Sequence, residues 1–319
     1  MKNTVFLNAA KVNFDKNLDF SDLASITNLF QHEQCTSDEQ LLEYSKDCNI
    51  LISKELPITK EIIDKLPESV ELICEAGTGY NNIDIQSARA RNITVCNLPG
   101  YSSEAVAQLA LTFILNFASS MITQQKMISQ KDFSNFTKYL QVPHFELRNK
   151  TLGVIGAGSI GWQLIKLARA FDMKVLVHSR TEKNWADENT KFVSLDFLLK
   201  NSDFVSLHCP LNSDTKHMIS KHTLKLMKKS SFIINTARGS LINEADLIDA
   251  LKNKVIAGAG LDVLEQEPPS LENPLLFMDN VILTPHIGWK CIESRNRLIK
   301  LLYDNINGFI AEKPINVVN

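Results

Sequence analysis

The sequence predicts an α/β protein with two parallel-sheet domains. From residue 151 onward, short apolar runs alternate with segments of helical spacing, which is the order that a parallel sheet with crossover helices requires. A smaller series of the same kind occupies the first hundred residues, and a glycine motif stands at the start of the longer series. With 319 residues the chain is long enough for two hydrophobic cores.

The longer series begins with the strand-like run TLGVIG at 151–156 and the helical pattern that follows it. Its later apolar runs are rich in β-branched residues and nearly unbroken, which suits strands covered on both faces. These runs are residues 174–178, 203–209, 231–236, 255–263 and 280–285, with helical spacing at 222–228 and 243–253.

The shorter series has apolar runs and helical patterns of its own, so it forms an α/β unit that is complete before the longer one begins. We place the boundary near Pro99 and Gly100, with a long helix from Ser102 leading across. The chain ends in an amphipathic helix and an extended tail, which we expect to return to the N-terminal unit. The segments of the shorter series are 49–53, 59–66, 70–77, 82–91 and 93–98.

Composition favours a small-molecule partner. The chain has 34 basic and 36 acidic residues, so its net charge of -2 provides no general attraction for nucleic acid or an anionic membrane surface. Its six cysteines lie far apart with no C-x-x-C pair, which indicates buried thiols in a reducing compartment. The N-terminus lacks the pattern of a signal peptide, and we therefore expect a cytoplasmic protein.

Residues 103–122 are apolar for almost the length of a membrane span. However, Gln108, Thr112, Asn116 and Ser120 recur at every fourth position and form one polar stripe along the helix. We therefore expect a helix buried between two domains instead of a membrane span.

Gly156, Gly158 and Gly161 form a G-x-G-x-x-G motif between an apolar strand and an amphipathic helix. That context is the one the motif needs in order to bind a dinucleotide. The first glycine permits a tight turn, the second lets the backbone approach a pyrophosphate, and the third allows close packing of helix on strand. Unpaired N–H groups at the start of the helix would then face the anion.

The end of the next strand decides which dinucleotide is preferred. Sites for NAD usually carry a carboxylate here for the ribose hydroxyls, whereas this chain has Ser179, Arg180 and Thr181. These side chains can donate to a 2′-phosphate, and the arginine can pair with it through its planar fork. The stretch favours NADP(H). The alternative, in which Arg180 is a surface residue and NAD(H) is bound, remains open.

Polar residues follow three later strands: Arg238, then Asp262 with Glu265 and Glu267, then His286. Ligands of doubly wound sheets gather at the carboxyl ends of strands, so these side chains should share a cleft. Together, an arginine, a glutamate and a histidine suit the interconversion of a 2-oxo acid and a 2-hydroxy acid. The arginine binds the carboxylate and polarises the carbonyl, the histidine moves a proton, and the glutamate orients the histidine. A nicotinamide cofactor would exchange the hydride.

Several motifs resemble those of the D-isomer-specific 2-hydroxyacid dehydrogenases, and the similarity covers essentially the whole chain. Within this similarity, three stretches most resemble the glycerate dehydrogenase and hydroxypyruvate reductase branch: NLPGYSSEAVAQ, TPHIGW and the closing PINVVN. The family motifs are TLGVIGAGSIG, HCPLNSDTKHMIS, INTARGSLINEADLIDAL, AGAGLDVLEQEPP and TPHIGW.

The resemblance implies two flavodoxin- or Rossmann-like domains, with the cofactor domain inserted into the substrate domain. The substrate domain would comprise 1–101 and 288–319, and the dinucleotide-binding domain 102–287. The implied activity is NAD(P)H-dependent reduction of hydroxypyruvate or glyoxylate to D-glycerate or glycolate, and the reverse reaction. Family members are commonly dimers, and the segment 102–130 is a plausible contact between two copies.

The resemblance also assigns roles to individual residues. Arg238 would bind and polarise the substrate, His286 would be the acid and base, and Glu267, the residue directly before the proline pair, would be the partner of His286. The backbone N–H groups of Thr78 and Gly79 would bind the substrate carboxylate, and no metal site is implied. From motifs and resemblance together, the residues expected to contact the cofactor are Gly156, Gly158, Ser159, Ile160, Gly161, Ser179, Arg180, Thr181, Cys209, Pro210, Thr215, Thr236, Asp262 and Gly288.

Two alternatives remain at this point. A dinucleotide-sensing binding protein of the corepressor type, built on the same fold, could keep Arg238, Glu267 and His286. A metal site could use side chains of one cysteine and three histidines, although their spacing matches no closed zinc pattern. Those residues are His208, Cys209, His217 and His222.

Overall fold

In the computed structural model, which describes residues 1–181, 183–184 and 189–319, the chain divides into two compact units. Unit 1 comprises Met1–Ser102 and Trp289–Asn319, and unit 2 comprises Ser103–Gly288. Each boundary lies one residue from the one expected from the sequence. Two parallel-sheet α/β units confirm the predicted fold class.

Unit 1 begins with an open parallel sheet in the order β2-β1-β3-β4-β5. Its inner strands β3 and β4 are buried along their whole length, as ILIS and LICE predict for strands covered on both faces. The strands are β1 (Asn3–Phe6), β2 (Asn28–Gln31), β3 (Ile50–Ser53), β4 (Leu72–Glu75) and β5 (Thr94–Cys96). The helices between them are α1 (Ser21–Ile26), α2 (Asp38–Tyr44), α3 (Lys60–Lys65) and α4 (Ile85–Ala90), and Ala9–Lys11 forms a 3-10 turn.

Unit 2 opens with a helix that breaks earlier than the sequence predicts. The helix α5 (Ser103–Ser119) buries Ala107, Ala110 and Phe113 in the core of unit 2, while Gln108 and Thr112 of the polar stripe are exposed. Ser120 then adopts a left-handed backbone conformation with φ of 51°, which ends the helix. The chain continues as α6 (Met121–Ser129) and α7 (Ser134–Thr137).

Among the described residues, no single helix is long and apolar enough to cross a membrane. The segments Ser103–Ser119 and Met121–Ser129 meet that criterion only when taken together, and they are bent by 61° at the break between them.

The sheet of unit 2 is parallel, with the order β12-β11-β10-β9-β6-β7-β8. Its strands are β6 (Thr151–Ile155), β7 (Lys174–His178), β8 (Thr190–Phe192), β9 (Phe204–Leu207), β10 (Phe232–Asn235), β11 (Gly258–Leu261) and β12 (Val281–Leu283). Its other helices are α8 (Ser159–Ala170), α9 (Leu195–Asn201), α10 (Lys221–Leu224) and α11 (Glu244–Lys252), with 3-10 turns at Gly239–Leu241 and Pro274–Phe277. The strand order reverses direction between β6 and β9, and ligands bind at such a switch point in open α/β sheets.

After unit 2 the chain returns to unit 1 as the helix α12 (Ile292–Ile310). Leu298, Leu302 and Ile306 of this helix are buried in the same core as β3 and β4. The tail follows β5, where Val318 donates a backbone hydrogen bond to Val95. The amphipathic helix and extended tail therefore complete the N-terminal unit.

Candidate active site

The strands of unit 2 are in register at their carboxyl ends, so the residues that follow them meet along one edge of the sheet. Ile155 lies opposite His178 and Leu207, and Asn235 lies opposite Leu207 and Leu261. Side chains that are far apart in the sequence are thereby placed side by side. The residues directly past these strands are Gly156, Ser179, His208, Thr236, Asp262 and Thr284.

The glycine motif lies at the switch point, and its first and third glycines are required by close backbone approaches. Gly156 has φ of 109°, and a Cβ added there would lie 2.6 Å from the Cys209 nitrogen. A Cβ on Gly161 would lie 2.3 Å from the Gly156 carbonyl oxygen. At Gly158, by contrast, an added Cβ meets no described atom within 4 Å. The loop therefore leaves open space in front of the N-terminus of α8, as a bound pyrophosphate requires.

Ser159 and Ile160 begin α8 directly after this open space. The Ser159 hydroxyl lies 2.8 Å from the hydroxyl of Ser103, which begins α5. Ser159 and Ile160 supply backbone N–H groups at a helix start, where intrahelical acceptors are lacking. The first turn of α8 thus has the donor set for a phosphate.

The stretch after β7 leaves the sheet beside the first glycine. The Gly156 nitrogen donates to the His178 carbonyl over 2.8 Å. Nδ1 of His178 lies 3.2 Å from the Val193 carbonyl oxygen. Ser179 is half-buried, whereas Arg180 and Thr181 are exposed. The exposure of Arg180 is compatible with both predictions, a contact with a 2′-phosphate and a place on the surface.

Cys209, Pro210 and Thr215 form the loop after β9. The Thr215 hydroxyl donates to the Pro210 carbonyl over 2.7 Å and accepts from the Asn212 nitrogen over 2.9 Å. These hydrogen bonds hold the turn together, and the cofactor contact of Thr215 stays a prediction. Burial raises the pKa of the Cys209 thiol to about 11, so the thiol stays neutral at physiological pH.

Two buried polar atoms beside the glycine loop have no hydrogen-bond partner within the described part of the chain. They are the Thr236 hydroxyl and Nδ1 of His208. Burial lowers the pKa of His208 to about 4, so its ring is neutral. Buried polar groups are nearly always paired, and these two are suited to a polar ligand at this edge. Together with the open space at Gly158, they fit a bound dinucleotide.

Asp262 organises the loop that carries His286. Its carboxylate accepts hydrogen bonds from the Thr284 hydroxyl (2.6 Å), the Ile287 nitrogen (2.8 Å) and the Gly288 nitrogen (2.9 Å). Burial raises the pKa of this carboxyl, and these hydrogen bonds oppose the increase. The predicted cofactor contacts of Asp262 and Gly288 would therefore add to an existing network.

His286 and Glu267 lie in contact. Nδ1 of His286 is 2.8 Å from Oε2 of Glu267, and Oε1 of Glu267 accepts from the Leu264 nitrogen over 2.9 Å. A carboxylate at Nδ1 fixes the orientation of the ring and leaves Nε2 for proton transfer. Glu265, the other glutamate considered from the sequence, instead contacts Nε2 of His217.

Arg238 follows β10, as the sequence predicts for a residue at the ligand edge. Asn235 fixes the backbone there: its amide donates to the Arg238 carbonyl over 2.9 Å and accepts from the Ala237 nitrogen over 3.0 Å. One guanidinium nitrogen, Nη1, donates to the Ala237 carbonyl over 2.7 Å. The side chain is half-buried, which suits a cation that binds a small acid.

Thr78 and Gly79 belong to unit 1, in the loop after β4. The Thr78 hydroxyl donates to the Leu98 carbonyl over 2.8 Å, and the Asn97 amide donates to the Thr78 carbonyl over 2.7 Å. Within the described residues, the backbone N–H groups of Thr78 and Gly79 have no protein acceptor. They are thus suited to an anion.

Two features were not predicted from the sequence. In unit 1, Lys54 follows β3 and is buried, with Nζ 2.8 Å from Glu55 and 4.0 Å from the centre of the Trp289 ring. In unit 2, the pair of His217 with Glu265 was not foreseen. The position of Lys54 directly after β3 is the signal that could have found it, whereas no local pattern in the sequence connects His217 with Glu265.

No group of three or more histidine, cysteine, aspartate or glutamate side chains in the described ranges is arranged to hold a metal ion. Of the residues considered for such a site, His208 contacts the Ser206 hydroxyl at 2.8 Å and Cys209 lies 3.7 Å from the sulfur of Met218.

Comparison with known proteins identifies the class to which this fold and these motifs belong. The family model for the NAD-binding domain of D-isomer-specific 2-hydroxyacid dehydrogenases matches residues 111–288. The chain belongs to the D-isomer-specific 2-hydroxyacid dehydrogenase family and is an oxidoreductase acting on CH–OH donors.

Individual relatives cover nearly the whole chain. A hydroxypyruvate reductase of Blautia hydrogenotrophica is 36% identical over 299 residues, which is 91% of each chain. A glyoxylate reductase of Thermococcus litoralis is 38% identical over 286 residues, covering 88% of this chain and 86% of the relative. Among solved structures, an acyclic imino acid reductase, Bsp5, in complex with NADPH and D-Arg has a TM-score of 0.89 at 30% identity, covering 99% of this chain and 100% of that one.

Proposed function

We propose that this protein reduces a small 2-oxo acid, hydroxypyruvate or glyoxylate, to the D-2-hydroxy acid with NAD(P)H, and catalyses the reverse oxidation. The products are D-glycerate and glycolate. Relatives named hydroxypyruvate reductase and glyoxylate reductase support this reaction. The observation that carries the proposal is the contact between His286 and Glu267 at the ligand edge of the sheet.

When bound, a nicotinamide cofactor would supply the hydride for reduction of the substrate carbonyl. His286 donates a proton from Nε2 to the carbonyl oxygen and takes it back in the reverse direction. The Glu267 carboxylate at Nδ1 holds the ring and stabilises its protonated form. A histidine that alternates between these states can serve both directions.

The substrate carboxylate is bound by charge and by backbone donors. Arg238 pairs with the carboxylate and polarises the carbonyl, because its guanidinium presents several donors in a planar fork. For the N–H groups of Thr78 and Gly79 in unit 1, binding of the substrate carboxylate stays a prediction from the family resemblance. Asn235 supports Arg238 by fixing the backbone on both sides of Ala237.

The nicotinamide dinucleotide is held by unit 2, through the glycine loop and the first turn of α8. We further propose a preference for NADP(H), with Ser179, Arg180 and Thr181 around the 2′-phosphate. The absence of a carboxylate among these three positions supports the preference, because a carboxylate would repel that phosphate. NAD(H) is the alternative cofactor.

A panel of substrates measured with both cofactors tests the function. Purified protein is assayed with hydroxypyruvate, glyoxylate and pyruvate, each with NADPH and with NADH, and the chirality of the glycerate formed is determined. We expect turnover with hydroxypyruvate or glyoxylate and formation of the D-enantiomer. An absence of turnover on every 2-oxo acid would contradict the proposal and favour a dinucleotide-sensing protein.

We also propose that the protein is a homodimer. Large apolar side chains are exposed in and after α6, including Met121, Ile122, Phe136 and Tyr139, and a second copy would cover them. Sedimentation equilibrium gives the mass directly. A monomer at micromolar concentration would contradict the proposal.

A cytoplasmic location is proposed on the basis of the thiols. All six cysteines are free, and Cys35, Cys48, Cys74 and Cys96 are buried. Unpaired cysteines are typical of a reducing compartment. Fractionation of the source cells with an antibody to the protein tests this location.

A further inference from the structure

The segment 263–267 carries two glutamates, and each of them contacts a different histidine. Glu267 contacts His286, whereas Glu265 contacts Nε2 of His217 through Oε1. The proposed reaction uses only the first pair. The second pair is half-exposed and lies in the same unit, on the same segment.

His217 is fixed independently of that segment. It belongs to the loop after β9, and its backbone nitrogen donates to the Ser240 carbonyl over 2.8 Å. Two residues later, Ile219 forms a parallel bridge with Ile242. The imidazole is therefore anchored to the body of unit 2 and provides a fixed point for Glu265.

The peptide between Leu264 and Glu265 packs against Gly239 and donates a hydrogen bond to Glu244. A Cβ added to Gly239 would lie 2.0 Å from the Leu264 carbonyl carbon, so the backbone after Arg238 packs directly on this peptide. The Glu265 nitrogen donates to Glu244 over 3.1 Å, and Glu244 also accepts from Asn273 over 2.7 Å.

The adjacent peptide, between Val263 and Leu264, in turn orients Glu267. The Leu264 nitrogen donates to Oε1 of Glu267 over 2.9 Å, which leaves Oε2 directed at His286. A series of contacts thus runs from His217 through Glu265 and the Leu264 N–H to Glu267 and His286. A shift of Leu264, which links the two peptides, would move this N–H and turn the Glu267 carboxylate away from the imidazole.

The charges of this segment favour the His217 contact. Glu244, Glu265 and Glu267 place three carboxylates around one short segment, and like charges at close range repel one another. His217 is the donor to the Glu265 carboxylate. Without that donor, Glu265 is expected to turn toward solvent and move its peptide with it.

We propose that His217 is a positioning residue for this reaction: through Glu265 it holds the Leu264 N–H where that group orients Glu267 toward His286. The proposal rests on the function proposed above. It also explains why both glutamates of the LEQEPP stretch contact a histidine.

A double-mutant cycle tests this role. Wild type, H217A, E267Q and the H217A/E267Q double variant are compared by kcat and KM for the 2-oxo acid at saturating cofactor. If His217 acts through Glu267, H217A lowers kcat by about tenfold in the wild type, with little change in KM, since small misplacements of catalytic groups are costly. The same change lowers kcat by less than about twofold in the E267Q background, because no oriented Glu267 remains to be lost.

Two controls distinguish positioning from general damage. H217Q places an amide donor within reach of Glu265 and should restore most of kcat. H222A removes an exposed histidine of α10 and should leave kcat unchanged. Dissociation constants for the cofactor, measured by fluorescence quenching, should be equal in wild type and H217A.

Equal losses from H217A in both backgrounds would overturn the proposal, as would full activity of H217A. If H217A does not fold, E265A removes the same contact from its other side and is carried through the same cycle with the same expectations. Wild-type turnover is measured first. If the wild type is inactive, the proposed function fails. If the wild type is active but the effects of H217A and E267Q on kcat are additive, only the role of His217 fails.

Discussion

The Glu267 carboxylate lies 2.8 Å from Nδ1 of His286, although 19 positions separate the two residues in the chain. Glu267 follows β11 and His286 follows β12, and these strands are neighbours in the sheet. A carboxylate in this place fixes the ring and prepares its other nitrogen for proton transfer. The pair is the basis of the first prediction.

Replacement of His286 by alanine should remove most turnover. General acid–base catalysis contributes about 10²- to 10⁴-fold to a rate, so we expect kcat to fall within that range. The dissociation constant for NAD(P)H should change little, because the glycine loop is untouched. Steady-state kinetics and fluorescence quenching measure the two quantities. The exposed His144 provides a matched control, and retained turnover in H286A would refute the role of His286 in proton transfer.

Replacement of Arg180 by alanine should discriminate between the two cofactors. A hydrogen bond to a charged group contributes about 1.5–3 kcal/mol, so loss of the contact with a 2′-phosphate should weaken NADPH by about 10- to 100-fold and NADH much less. Lys174, exposed at the opposite end of the same strand, is a suitable control position. Equal losses for both cofactors in R180A would identify Arg180 as a surface residue.

Replacement of Gly158 by alanine should weaken cofactor binding without destabilising the fold. An added methyl group meets no described protein atom within 4 Å there, but it occupies the space where the pyrophosphate would approach. We expect the dissociation constant for NAD(P)H to rise by about tenfold or more, at an unchanged Tm. G156A is the contrasting variant, because its Cβ would lie 2.6 Å from backbone and should lower Tm. Unchanged cofactor affinity in G158A would place the pyrophosphate elsewhere.

His208 should make the stability of unit 2 depend on pH. Burial lowers its pKa in the folded state to about 4 from the ordinary 6.5, so the folded protein binds this proton less tightly than the unfolded chain. The stabilising contribution is present above pH 6.5 and is lost as the pH falls toward 4. Between pH 7 and 4.5 this group should reduce the free energy of unfolding by about 2 kcal/mol.

Urea denaturation of wild type and H208Q at the two pH values tests this prediction. Glutamine does not titrate, so H208Q should lose about 2 kcal/mol less than wild type over the same interval. Equal losses of unfolding free energy in the two proteins would contradict the prediction. They would mean that His208 is protonated in the folded state or that other groups cause the loss of stability at low pH.

Much of the fold follows from periodicity. The runs at 49–53, 70–77 and 151–156 contain the strands β3, β4 and β6, because continuous apolar sequence bounded by turns is typical of strands covered on both faces. The strands β1, β2 and β8 lie outside the apolar runs identified in the sequence. β2 is a short edge strand with mostly exposed residues, so it carries no hydrophobic pattern.

The helix ends were less predictable than the helices. The apolar pattern of 103–122 continues past Ser119, but the left-handed backbone at Ser120 ends α5 there. Serine rarely adopts that conformation, and the Asn116 side chain accepts a hydrogen bond from the Ile122 nitrogen across the break. Such side-chain contacts depend on the local three-dimensional path of the chain.

The sequence by itself determined the α/β class, the glycine loop between strand and helix, and the polar residues that follow each later strand. These features depend on residues close together in the chain, where periodicity and turn chemistry act. The family resemblance implies the choice of Glu267 as the partner of His286, but only the tertiary structure brings the two together and shows that Glu265 contacts His217. These contacts depend on the lateral order and register of the strands, which bring together residues that no local pattern connects.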